Sequence, residues 1–286
     1  MNIEKIELTK LKFFEDYPFN LSADEAFDDL VKSIENVGVI TPIIVRPLEN
    51  GNYEIISGHR RADACRLLGY DDIPAVVREI SRDEAIIIMV DENLTQRSEI
   101  LPSEKAFAYR MKLDALNRQG QRSDLTFSQL GKKLNSYEEM AKHYGESKSQ
   151  IHRFVRLTYL DYELLNMVDR GEIAFGPAVE LSYLTHEEQR CVCEAIELEE
   201  STPSLSQSQR MKKLSEEGNL SPDDIFDIMA EVKGNQVETI KVPTNIVQKH
   251  FKQYITANEM QDFIVRAVEH YCRYLRNHEL NRDDAR

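Results

Sequence analysis

Gly58-His59-Arg60-Arg61 is the stretch of this chain whose residue types and spacing best suit anion chemistry. It follows the extended apolar run Glu54-Ile55-Ile56-Ser57 and leads into Ala62-Asp63-Ala64-Cys65, which has a helical pattern. A glycine at such a junction lets the backbone approach a ligand closely. The N–H groups opening the helix have no intrahelical partners, and two forked guanidiniums match phosphate oxygens. A second group, Asp91-Glu92-Asn93-Leu94-Thr95-Gln96-Arg97, closes an apolar helix with two carboxylates, an amide and an arginine within two turns. That set can hold Mg²⁺ through an oxygen while its arginine meets a phosphate, although a solvated helix end has the same composition. Thr41, in Val39-Ile40-Thr41-Pro42-Ile43-Ile44-Val45-Arg46, offers a hydroxyl at the rim of such a pocket. A proline-led buried strand explains that segment without any ligand.

A third pattern concerns nucleic acid. Ser136-Tyr137-Glu138-Glu139 and Ser147-Lys148-Ser149-Gln150 both have the form of a helix-opening capping box, and Gly145 lies between them. Ala141 leaves room for a steep crossing, Gly145 takes the left-handed turn, and Ile151, Phe154, Val155 and Leu157 make an inward face. The second helix then presents Lys148, Ser149, Gln150, His152, Arg153 and Arg156 outward, with Ser147 near a phosphate. A plain helical hairpin with a solvated face is the competing account.

These groups need a scaffold, and the chain is large enough to supply one. Its 286 residues, 41% hydrophobic, allow two or three packed domains. The longest apolar run, Ala85–Val90, is far short of the roughly 20 residues that span a bilayer, so the expected location is cytoplasmic. Cys65, Cys191, Cys193 and Cys272 are scattered without a nearby His pair, which points to reduced thiols rather than zinc. A net charge of −14 argues at first against DNA. Residues 101–156, however, hold 11 Lys and Arg against 6 Asp and Glu, so the net-basic segment contains the helix-turn-helix pattern.

The elements expected around the motifs form a series. Ser22-Ala23-Asp24-Glu25 caps a helix to about Gly38; strands at 43–46 and 53–56 flank a tight Asn50-Gly51 turn; a helix runs to Gly69 and a strand covers 73–77. Pro102-Ser103-Glu104 opens a helix, and residues 117–128 read as a polar connection. Thr185 caps a later helix, 201–209 reads as a linker, and Ser221-Pro222 caps another helix. A strand at 239–242 and helices at about 244–252 and 257–275 close the chain. This last part resembles a ribbon-helix-helix protomer, with Phe263, Ile264, Ala267, Val268, Tyr271 and Leu275 as a homodimer core, or else a helical cap on its own chain.

Taken in order, the segments at 38–46, 58–61, 92–97 and 136–157 resemble ParB-type partition proteins over about residues 10–190, in the style of mobile elements of Gram-positive bacteria. The resemblance implies an α+β N-terminal ParB/sulfiredoxin-like domain, an all-α helix-turn-helix domain and a small C-terminal strand-helix-helix segment. The expected boundaries are 1–100, 101–200, a helical linker at 201–235, and a dimerisation segment at 236–286. It also implies CTP and Mg²⁺ as cofactors, held by Thr41, Gly58, His59, Arg60, Arg61, Glu92, Asn93, Gln96 and Arg97. Double-stranded DNA is the implied partner and loads a dimeric clamp that CTP closes, on a nucleoid or plasmid. The family usually has Glu where His59 stands, which favours binding over hydrolysis; Glu92 is then the candidate catalytic carboxylate of a weak CTPase. Gly176-Pro177-Ala178-Val179 replaces a Gly-His-Ala-Arg stretch, implying an altered DNA site. Met1–Phe14 lacks the arginine-rich tail that contacts a ParA-type ATPase, so a regulator on the same scaffold is the alternative role. Sulfiredoxin and related small kinases also resemble the first unit, but sulfiredoxin's nucleophilic Cys would have to stand where Gly58 does.

Overall fold

The structure is a computed structural model describing residues 3–20, 24–97, 99–123, 129–231, 242–251 and 256–283. In chain order it opens with β1 (Ile3–Glu7), β2 (Leu11–Lys12), α1 (Glu25–Val37), β3 (Ile43–Pro47), β4 (Tyr53–Ser57), α2 (His59–Leu67), β5 (Asp72–Val77) and α3 (Arg82–Gln96). The strands form one mixed sheet in the order β1-β5-β3-β4-β2. β1–β5 and β3–β4 pair antiparallel, while β3–β5 and β2–β4 pair parallel.

Alternation along β4 sends Ile55 and Ile56 to opposite sides, and both are fully buried. Ile55 joins Ile34, Ile43, Val45, Ala62, Cys65 and Ile73, the core under α1 and α2. Ile56 joins Phe14, Phe19, Ile86 and Met89, under α3 and the following long helix. That helix, α4 (Pro102–Ser123), leads into α5 (Gln129–Tyr144), α6 (Lys148–Leu157), α7 (Tyr162–Asp169), α8 (Phe175–Leu181), α9 (His186–Glu199), α10 (Leu205–Glu216) and α11 (Pro222–Ala230). Residues 1–231 cluster as one compact unit. A second unit contains α12 (Thr244–Gln248) and α13 (Ala257–Asp283).

Several expectations are corrected. The cap of α1 is Asp24, which accepts from Phe27 N at 2.8 Å; Ser22 lies outside the described residues. The β3–β4 connection spans Leu48–Asn52, and only Gly51 in it has positive φ (+74°), so it is a turn followed by a glycine bulge, not a two-residue Asn-Gly turn. The polar segment 117–123 continues α4, because none of its residues breaks a helix that is already anchored by packing; residues 124–128 lie outside the description.

Ser136 does not open a helix. It lies within α5, where its hydroxyl donates to Asn117 Oδ1 at 3.1 Å, since a capping pattern acts only where the preceding residues leave helical geometry. The stretch 201–209 is not a linker: Ser204 caps α10 in a full capping box, and α10 buries Met211 against the helical core. The strand expected at 239–242 falls on residues 232–241, outside the description, and on Val242, which is in neither helix nor strand. All four cysteines are free, and burial first, then nearby carboxylates, push Cys193 up to about 12.

No helix among the described residues is long and apolar enough to cross a membrane. Met211→Ala should cost about 2–5 kcal/mol in urea unfolding of the full chain. A loss under about 0.5 kcal/mol, the size of an ordinary surface substitution, would mean that α10 does not belong to the core.

Candidate nucleotide and DNA sites

The strand-to-helix junction has the expected backbone but for a different reason. Gly58 caps α2 with φ +96°, and a Cβ there would stand 2.5 Å from Ile43 Cγ2. The glycine is therefore required by the neighbouring strand as well as by the turn, whatever approaches from outside.

His59 opens α2 and is 2% exposed. Its ring lies between Tyr17, with centroids 3.9 Å apart, and Phe13 at 5.7 Å. Neither ring nitrogen has a hydrogen-bond partner among the described residues. Burial, then the charges of Arg97 and Arg66, push its pKa down to about 3, so the ring is neutral.

The arginines are already engaged. Arg60 pairs with Asp24 and lies 5.6 Å from the Phe27 ring. Arg61 Nη1 donates to the carbonyls of Thr41 (2.6 Å) and Pro42 (2.8 Å), so Thr41 meets the site through its backbone. Burial lowers the pKa of Arg61, and Glu92 opposes that shift. Arg97, just past α3, donates to Asn93 Oδ1 at 3.2 Å and Asn20 O at 3.2 Å, and stands 3.7 Å from the buried Glu104.

Asn93 is equally committed. Its Oδ1 also accepts from the Tyr17 hydroxyl at 3.0 Å, and its Nδ2 donates to Met89 O at 2.8 Å. Both lone pairs of that oxygen are used, so a Mg²⁺ ion would displace Tyr17 or Arg97 to reach it. Glu92 fits an oxygen-seeking cation better.

These residues enclose a cavity of about 270 Å³ lined by Gly58, His59, Arg60, Arg61, Glu92, Asn93, Gln96 and Arg97, with Tyr17, Leu30 and Ser57. A neighbouring cavity of about 540 Å³ shares Arg60, Gln96 and Arg97. The structure thus brings together every expected nucleotide-site residue except Thr41, whose side chain is not in the lining. Tyr17, Phe13, Asp24 and Glu104 were not legible as site residues, because nothing near them in sequence marks a pocket. A larger cavity of about 830 Å³, lined by Asp16, Arg82, Phe107 and Arg118 among others, shares Tyr17 with the cleft but none of its arginines.

The helix-turn-helix is built by α5 and α6. Gly145 takes φ +67°, and Ser147 caps α6 by accepting from Gln150 N at 3.1 Å. Ile151 and Leu157 are fully buried, and Val155 nearly so. Ser149 and His152 are exposed, while Lys148, Gln150, Arg153 and Arg156 are half-buried. Each half-buried cation has an intramolecular partner. Lys148 pairs with Glu138 at 3.1 Å; Arg153 lies 4.9 Å from the Phe175 ring; Arg156 lies between Tyr159 and Tyr183 and donates to Ser182. The arginines are held on aromatic faces and project from a fixed base.

Comparison with known proteins adds lineage. The ParB N-terminal domain family matches residues 1–94, and the ParB HTH domain family matches 125–217. Chromosome-partitioning protein Spo0J of Thermus thermophilus is 32% identical over 167 residues, 58% of this chain and 55% of that one. A probable chromosome-partitioning protein ParB of Pseudomonas putida is 35% identical over 154 residues, covering 54% and 47%. A nucleoid occlusion protein of Listeria monocytogenes is 32% identical over 188 residues, covering 66% and 60%. The chain spans about half the length of the relatives it matches. Among solved structures, C-terminally truncated ParB of Caulobacter crescentus complexed to the centromeric parS site aligns at 22% identity and TM-score 0.42, covering 79% of this chain and 98% of that one.

The buried histidine gives a pH test. Its folded pKa, about 3, lies below the unfolded value near 6.5. The stability it contributes is therefore complete above pH 6.5 and is lost as pH falls towards 3, because the unfolded chain takes up a proton that the folded chain refuses. Between pH 7 and pH 5 the wild type should lose about 2 kcal/mol more than His59→Phe in urea unfolding. Parallel pH profiles for the two proteins would refute the neutral, buried ring.

Proposed function

Because this chain belongs to the ParB family, with its N-terminal and HTH domains in order, we propose that it is a CTP-responsive DNA-binding clamp of partition type. The observation that carries the reading is the cleft itself. The open N–H groups of α2, with Arg60, Arg61 and Arg97, face a carboxylate at Glu92, which is the donor set a nucleoside triphosphate with a divalent cation requires.

Arg60 and Arg61 would bind the phosphates, exchanging Asp24 and the 41–42 carbonyls for phosphate oxygens. Glu92 would hold Mg²⁺, with Asn93 joining once it is released from Tyr17 or Arg97. Gln96 would border the nucleotide. His59, neutral and stacked between aromatic rings, has no carboxylate with which to activate water, so the reading favours binding with slow hydrolysis. Ser147, Lys148, Ser149, Gln150, His152, Arg153 and Arg156 would face DNA, most directly through the exposed Ser149 and His152.

On this reading residues 1–100 bind nucleotide, 101–200 bind DNA and 236–286 dimerise. A regulator or nucleoid-associated protein on the same scaffold is the second reading, favoured by the Listeria nucleoid occlusion relative, matched over 188 residues. A ParA-type ATPase would be a partner only under the partition reading.

Two measurements test the proposal. Calorimetry across CTP, ATP, GTP and UTP, with and without a parS duplex, should give binding for CTP alone, weakened at least tenfold (about 1.4 kcal/mol) by Arg61→Ala. Equal affinity for all four nucleotides, or an unchanged Arg61→Ala, would overturn the site assignment. For the dimer, Phe263, Val268, Tyr271 and Leu275 of α13 are each at least 42% exposed in the single chain. Deleting 236–286 should halve the solution mass; a truncated protein that stays dimeric without nucleotide removes this segment from the dimer interface.

A further inference from the structure

We propose that Asp91 is the positioning residue through which an occupied nucleotide cleft acts on the turn of the helix-turn-helix, an inference that rests on the nucleotide-binding reading above. The two faces of α3 point to different things. Glu92, Asn93 and Gln96 line the cleft. Leu94 packs against the cluster of Tyr109, Met140 and Ile151, and Asp91 is turned towards the same side.

There a single oxygen, Asp91 Oδ1, accepts from Lys112 Nζ at 2.5 Å and from the Tyr144 hydroxyl at 2.5 Å. Lys112 also donates to the Tyr144 hydroxyl at 3.1 Å, closing a triangle between α3, α4 and α5. His143 Nε2 lies 3.3 Å from the same oxygen. Burial, then the Asp91 hydrogen bond, raise the pKa of Tyr144, which keeps its hydroxyl a donor.

Tyr144 is the last residue of α5, followed directly by Gly145, Glu146 and the Ser147 cap of α6. The far side of this turn is fastened to α4, where Lys105 pairs with Glu146, and burial, then the Glu146 charge, raise the pKa of Tyr109. Lys105, Tyr109 and Lys112 are spaced four and three apart, so one face of α4 grips the whole turn. Among the described residues, Asp91 is the ionic link from α3 into that grip.

The triangle cannot be broken without consequence. The Lys112 side chain is 6% exposed, and a buried ammonium separated from its carboxylate is strongly disfavoured. A ligand that draws on Glu92, Asn93 and Arg97 displaces the last turns of α3, and Asp91 with them. Lys112 and Tyr144 must then follow or find new partners, and α6 begins four residues beyond Tyr144. Linkage requires the converse as well: DNA held by α6 alters the affinity of the cleft by the same factor.

The test is hydrogen exchange on the full-length protein with and without CTP and Mg²⁺. In the wild type, CTP should slow exchange around 58–61 and change it across 143–150. Tyr144→Phe keeps the ring and the ion pair but removes the hydroxyl; the response at 58–61 should persist and that at 143–150 should fall at least about fivefold. Asp91→Asn combined with Lys112→Met, which removes both charges together, should behave alike and covers the case of one variant folding poorly. A full response at 143–150 in a folded variant, or a wild-type response confined to 58–61, overturns the proposal. No response at 58–61 in the wild type instead removes the nucleotide reading on which it rests.

Discussion

One helix sets the terms for everything else in the larger unit. α4 is buried on more than one side: Ala108, Met111 and Ala115 pack towards the sheet and α3, whereas Tyr109, Leu113 and Leu116 pack towards α5 and α6. Ala106, near its start, enters the core of the later helices. A helix apolar on several faces must be enclosed by several neighbours, and small residues let those neighbours come close. Its 22 residues make a rod of roughly 33 Å. The cleft-forming α3 and the helix-turn-helix thus share a rigid member, and neither can shift far without meeting it.

The phosphate-type cleft is poised rather than empty of interactions. Arg60, Arg61 and Arg97 each have a carboxylate, an amide or carbonyls of this chain as partner, although the buried Arg60 Nε is left without one among the described residues. Apart from Arg60 Nε, an anion must therefore exchange like for like, and much of its net affinity would come from charge neutralisation and ordered geometry rather than from rescuing unpaired donors. His59 is the larger exception. Its nitrogens have no partner among the described residues, and the cations around it hold it neutral. A buried polar ring without partners is costly, and the two aromatic faces that cover it recover part of that cost as dispersion.

The helix-turn-helix shows comparable preparation. In an acidic chain, non-specific attraction to DNA is weak, so on the proposed DNA-binding reading the geometry of a few side chains has to provide contact. Arg153 and Arg156 lie against Phe175, Tyr159 and Tyr183, which restrains long side chains before any contact is made. That restraint lowers the entropy lost on binding, at the cost of some reach.

Much of this was legible in the residues alone. The strand-glycine-arginine junction, the α3 ending, the glycine turn before α6 and the Ser147 cap all depend on interactions within a few residues, so their patterns survive in one dimension. The apolar pattern was enough to put Ile55 and Ile56 in a strand and Ile151 inside a helix pair. A local signal misled at Ser136, whose capping pattern lies inside α5, while at 201–209 a linker-like composition hid the capping box that Ser204 forms. The sequence by itself determined the residue types and local order of the two candidate sites, the arginines after Gly58, the 91–97 group and the polar face of α6. Only the tertiary structure decided their partners: Tyr17 on His59 and Asn93, the 41–42 carbonyls on Arg61, and Lys112 with Tyr144 on Asp91. Those partners are 19 to 76 positions apart along the chain. No short-range pattern encodes them, since they meet only when separate elements pack around α4.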